Sequence, residues 1–150
     1  LIIYISLLAI VLVAMTDLAT RLVFLQSKTN QKSAVASNLN FLQNKINHDI
    51  SDATAISGTY PGNTLNITVG GHNLVYTLTA GVITLSRDSA TAVPITNSTV
   101  TIALPSGVSG IFTKVTNGTS NCVLAQMVVV MKNDPSQNQT LQSTILMRGK

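Results

Sequence analysis

The stretch LIIYISLLAIVLVAMTDLATRLVFL, residues 1–25, decides how this chain is read, because it is apolar on every side of a helix for about four turns. From Leu1 to Met15 only Tyr4 and Ser6 carry polar side-chain groups, and the first charges are Asp17 and Arg21. Ile2, Ile3, Ile5, Leu7, Leu8, Ile10, Val11, Leu12, Val13, Leu18 and Leu22 spread over all faces of the helix. Water cannot satisfy such a surface, so the segment belongs in lipid or against other protein. At about 1.5 Å per residue it reaches about 37 Å, enough for a hydrocarbon core of roughly 30 Å. A cleaved secretory signal is the plainer reading, but there is no basic start and no small-residue cleavage site, and the helical pattern simply continues. A retained helix is expected.

Beyond Leu25 the pattern narrows to one face. Val35, Leu39, Leu42, Ile46, Ile50 and Ala53 recur at spacings of three and four, while Lys32, Ser33, Asn38, Asn40, Asn44, Lys45, Asn47 and Asp49 lie between them. No Gly or Pro interrupts the chain before Gly58. The expectation is one helix over 1–57, with 1–25 as a membrane or polymer core and 26–57 as an amphipathic half that packs on a sheet. Burying that stripe at ~1.5–3 kcal/mol per aliphatic side chain gives a contribution comparable to the net stability of a whole domain.

From residue 58 onward the texture is that of strands. TLNITV (64–69), NLVYTLT (73–79) and VITLSR (82–87) are short β-branched runs separated by Gly70-Gly71 and Ala80-Gly81, which predict a meander of hairpins. Further runs follow at 98–104, 111–116, 122–132 and 140–148, with Asn133-Asp134-Pro135 separating the last two. In the 98–104 run Val100, Ile102 and Leu104 share one face, as a sheet covered on one side requires. The fold class expected is therefore α+β: a long N-terminal helix packed on an antiparallel sheet that fills 58–150.

Composition narrows the function. The chain has 150 residues and a formal net charge of +4, but its nine basic residues are scattered, which makes nucleic acid an unlikely partner. No phosphate-binding Gly loop, nucleophile elbow or zinc spacing is present, so neither an enzyme nor a cofactor is expected. His48 and His72 read as solvated polar residues, and Asp49 and Asp52 as surface charges near a helix end. Cys122 is the lone cysteine, which excludes an intrachain disulfide and reads as a buried core thiol. Sequons at Asn66, Asn97, Asn117 and Asn138 are candidate glycosylation sites, though so much Asn, Ser and Thr yields about as many by chance. Asp17 and Arg21 stand four apart in the acid-then-base order that favours an intrahelical pair. They are expected to pair with each other or across to a neighbouring copy, or to snorkel to a membrane interface.

LIIYISLLAIVLVAMTDLATRLV, followed by SNLNFLQNKINHDISDATAIS, resembles the N-terminal helix of the type IV pilin and pseudopilin family. The resemblance covers about the first 57 residues; the strands share only the general layout. It implies a subunit that sits in the cytoplasmic membrane, is taken up by pilus assembly machinery, and polymerises with copies of itself into an extracellular fibre. In that family a leader is cut before a Phe-Thr-Leu-Ile-Glu-like stretch and the new amino terminus is methylated. Here Leu1 corresponds to a position just after the family's glutamate, so the Phe and Glu are expected upstream; the other reading is a subunit without the glutamate. The alternatives carried alongside a major pilin are a membrane-anchored minor pilin or adhesin and a secretion-system pseudopilin.

Overall fold

The computed structural model describes residues 1–117 and 120–148. One continuous helix, α1 (Ile2–Ser51), is followed by nine strands: β1 (Ala53–Ser57), β2 (Thr64–Val69), β3 (His72–Thr79), β4 (Val82–Arg87), β5 (Val93–Pro94), β6 (Val100–Ala103), β7 (Phe112–Asn117), β8 (Ser120–Met131) and β9 (Asp134–Leu146). The arrangement is α+β, with antiparallel sheets. The chain divides into two units, Leu1–Ala34 and Val35–Lys150.

The first unit is helix alone. Every residue from Leu1 to Ser27 is exposed, and nothing in this unit forms a core of its own.

In the second unit the strands form two sheets rather than the single sheet expected. One has the order β1-β2-β3-β4-β5; in the other the long β8 holds β6 and β7 on one edge and β9 on the opposite edge. The predicted meander is β2-β3-β4. Its turns at Gly70-Gly71 and Ala80-Gly81 have positive φ at both central residues, the geometry whose twist matches a tight hairpin. Two backbone links tie the sheets together. Gly62 and Phe112 exchange hydrogen bonds of 2.9 and 3.0 Å, and Ile102 N–H donates to Gly81 O at 2.8 Å. The close approach beside the first link needs glycine at 110, where a Cβ would lie 2.4 Å from the Gly62 nitrogen, and at 62, where a Cβ would lie 2.8 Å from Thr59 O.

A single core joins helix and sheets. Val35, Leu42, Ile46 and Ile50 of α1 meet Leu65, Ile67, Leu74, Tyr76 and Ile83 of the first sheet and Val100, Ile102, Phe112, Val123, Met127, Val129, Leu141 and Ile145 of the second. Leu39 is only partly buried against it.

Five further expectations need correction. Helix α1 stops at Ser51, not at residue 57, because Ala53–Ser57 pairs antiparallel with β2 from Ala53↔Val69 to Ser57↔Asn66. The β-branched Ile56 gains a ladder partner there that a helix cannot offer, and Thr54, at the bulge, donates its hydroxyl to Thr68 O at 3.2 Å. Ala53 is buried as expected, but from a strand and not from the helix stripe. The helical packing face begins at Val35, so residues 26–34 contribute little to the core. Leu104 lies beyond the end of β6 and is exposed, and Cys122 is half-buried. Cys122 falls among the even-numbered residues of β8, which alternate with the buried Val123, Ala125, Met127 and Val129, and it stands between the exposed Val115 and Leu146.

Candidate assembly surface on the N-terminal helix

The residues singled out in the apolar stretch, Leu1 through Leu22, all have open side chains, with Leu1 97% and Leu8 50% exposed. Phe24 and Leu25 extend the same surface. The helix is long and apolar enough to cross a membrane. An exposed apolar surface of this extent on a folded chain marks a place where lipid or protein is meant to sit.

The polar atoms in the stretch are disposed so as not to oppose that. Ser6 Oγ donates to Ile3 O at 2.9 Å, Thr16 Oγ1 to Leu12 O at 2.8 Å, and Thr20 Oγ1 to Thr16 O at 2.8 Å. Each hydroxyl is thus folded back onto its own helix and needs no water. Sequence reasoning counted Ser6 as polar, passed over Thr16 and Thr20, and missed this, although Ser and Thr on a helix back-bond in this way when nothing else is on offer. Arg21 Nε lies 2.9 Å from Asp17 Oδ2, so the two charges meet within one turn. An unpaired charge in an apolar setting would cost several kcal/mol, whereas this pair can enter together. At the far end Lys28 Nζ stands 4.9 Å over the Phe24 ring, a cation–π contact that closes the apolar stretch with a charge.

A second feature lies in the Val35–Lys150 unit. Asp49, expected at the surface, is only 5% exposed. Its carboxylate accepts a hydrogen bond from the buried Tyr76 hydroxyl of β3, and Lys45 Nζ approaches it at 2.9 Å from one helical turn earlier. Burial, reinforced by this carboxylate, pushes the Tyr76 hydroxyl well above its ordinary value near 10. The sequence signal was present but faint: a Lys and an Asp four apart on the margin of the apolar stripe.

The remaining candidates fall elsewhere. His72 Nδ1 lies 2.6 Å from Asp88 Oδ2, and the Asn73 backbone N–H donates to Asp88 Oδ1 at 2.8 Å. That backbone bond first, and His72 second, holds the Asp88 carboxyl below the usual carboxylate range. His48 is exposed beside Asp52, at 3.3 Å. Among the described residues no three His, Cys, Asp or Glu side chains converge as a metal site requires. Asn66 is half-enclosed in β2, with its Oδ1 buried and without a hydrogen-bond partner. Asn97 and Asn138 are exposed, and Asn97 Oδ1 accepts from Thr99 N–H at 3.1 Å. The side chain of Asn117 and the rest of its sequon, 118–119, lie outside the described residues. No known protein-family model matches this chain, and neither the curated proteins nor the solved structures contain a match to it.

Proposed function

We propose that this chain is a structural subunit of a type IV pilus-like surface filament, polymerising through residues 1–25. The observation that carries the reading is the helix segment that is apolar all round and exposed all round. Such a surface needs apolar neighbours on every side; a dimer seam covers one face, whereas a bundle of many copies covers all of them. The back-bonded hydroxyls and the Asp17–Arg21 pair favour that fate, because they let Ser6, Thr16, Thr20 and both charges leave water with partners in place. Before assembly the same segment would sit in the cytoplasmic membrane with the strand-rich unit outside. Passing from lipid to a helix bundle changes hydrophobic free energy little, so packing and the few polar contacts set the register. The work of this subunit is then structural and not catalytic. Its partners are copies of itself, the membrane before assembly, and the machinery that extracts it.

Electron microscopy of cell-surface material containing the chain tests this. Thin fibres labelled by an antibody to residues 58–150 are expected. Label spread over the cell envelope without fibres would contradict the filament and favour a membrane-anchored adhesin.

A further inference from the structure

Where the chain turns from α1 into β1 the surface is hollowed into a cleft of about 500 Å³, lined by Ser51, Asp52, Thr54, Val69, Gly70 and Arg148. Past Asp52 and Arg148 it continues into a more open hollow of about 280 Å³ that reaches Asn47 and His48. We infer that this cleft binds a small zwitterion, a molecule with a primary ammonium and a carboxylate joined by a short alkyl chain, its ammonium on Asp52 and its carboxylate on Arg148.

The backbone builds the cleft. Arg148 N–H donates to Ser51 O at 3.3 Å, which brings the stretch after β9 to the end of α1 and sets Arg148 beside Asp52. Gly70 belongs to the tight β2–β3 turn, and nothing lies within 4 Å of where its Cβ would stand, so that side of the mouth is open.

The charges select the ligand. Asp52 stands just past the C-terminus of α1, the negative end of the helix dipole, where an acid is unfavourable and a cation is favoured. Its ionic neighbour is the exposed His48, Nδ1 at 3.3 Å. Arg148 lines the same cleft, yet it makes no ion pair with Asp52 or with another carboxylate among the described residues. Elsewhere in this unit opposite charges brought together close on each other, as Lys45 Nζ and Asp49 do at 2.9 Å. Here they stay apart across a space of ligand size. A zwitterion satisfies both: its carboxylate meets the guanidinium in paired hydrogen bonds, and its ammonium neutralises Asp52 at the helix end. The ammonium has to carry N–H groups, because no aromatic ring lines the cleft to hold a quaternary one. Val69 supplies an apolar wall for the alkyl chain between the two charged ends. The site lies wholly within the Val35–Lys150 unit, so it stands whether or not residues 1–25 polymerise.

The test follows backbone amide resonances of the full chain in non-ionic detergent micelles while 4-aminobutyrate, butyrate or butylamine is added. With 4-aminobutyrate the Thr54 and Gly70 amides should shift saturably, with a Kd about tenfold below that of either single-charge analogue. Asp52→Asn should reduce 4-aminobutyrate to the affinity of butyrate, and Arg148→Met should reduce it to that of butylamine; Asp52→Ser and Arg148→Gln serve if either variant does not fold. No saturable shift at Thr54 and Gly70, a Kd equal to that of butyrate or butylamine, or undiminished affinity in a folded variant would overturn the inference.

Discussion

Asp49 shows what a single residue can conceal. In the sequence it is one polar letter at the edge of an apolar stripe; in the fold it is buried between Lys45 of its own helix and Tyr76 of β3, and it ties α1 to the first sheet. Nothing local announces Tyr76, which is 27 residues away. Tyr76→Phe should cost about 1–3 kcal/mol of unfolding free energy, since the carboxylate loses a donor it cannot replace from water. Denaturant titration measures this. Unfolded tyrosine ionises near 10, whereas Tyr76 in the fold stays neutral well above that, so stability should fall as pH rises past about 10. The Phe variant should lose that part of the alkaline dependence. Asp88 works with the opposite sign: its folded value is lowered, so its contribution is present above the ordinary carboxylate range and disappears as pH falls through the folded value. Asp88→Asn should flatten the acid limb of a melting-temperature profile, lowering the value at neutral pH while leaving it nearly unchanged at pH below the folded value of Asp88. The Asp17–Arg21 pair, by contrast, was legible, because the spacing alone brings the side chains within reach. Arg21→Met should reduce filament yield more than replacing both residues, since it strands Asp17 in an apolar bundle; equal yields from the single and double variants would count against the pair.

At the scale of elements, periodicity carried the reading where neighbours agree with it. The helix, the meander and its two Gly turns follow from spacings of three to four, from short alternating runs, and from glycine at positive φ. What failed was decided by distant partners. Residues 53–57 continue a helical pattern on paper, yet the edge of β2 claims them, and two-residue β5 exists only because β4 is beside it. The split into two sheets was likewise invisible, since it depends on β8 being long enough to hold β6 and β7 end to end on one side. The apolar and amphipathic parts of α1 also lead to separate expectations. Removing residues 1–25 should give a folded, soluble monomer, because the core begins at Val35. Circular dichroism and sedimentation check this, and an unfolded or aggregated product would refute the division of the helix into two roles.

The whole molecule pairs a helix surface that water cannot satisfy with a strand-rich unit whose outside is Asn, Thr and Ser with few charges. The first property is what the proposed assembly of many copies would cover; the second suits display in water. The core of this account is that residues 1–25 of many chains pack against one another, and cysteine cross-linking within that segment measures it most directly. With Cys122→Ser to remove the native thiol, chains carrying Leu8→Cys and Val13→Cys together should, in assembled material, give a ladder of covalent species extending to many subunits. A pattern that stops at monomer or dimer in the same material would contradict the bundle.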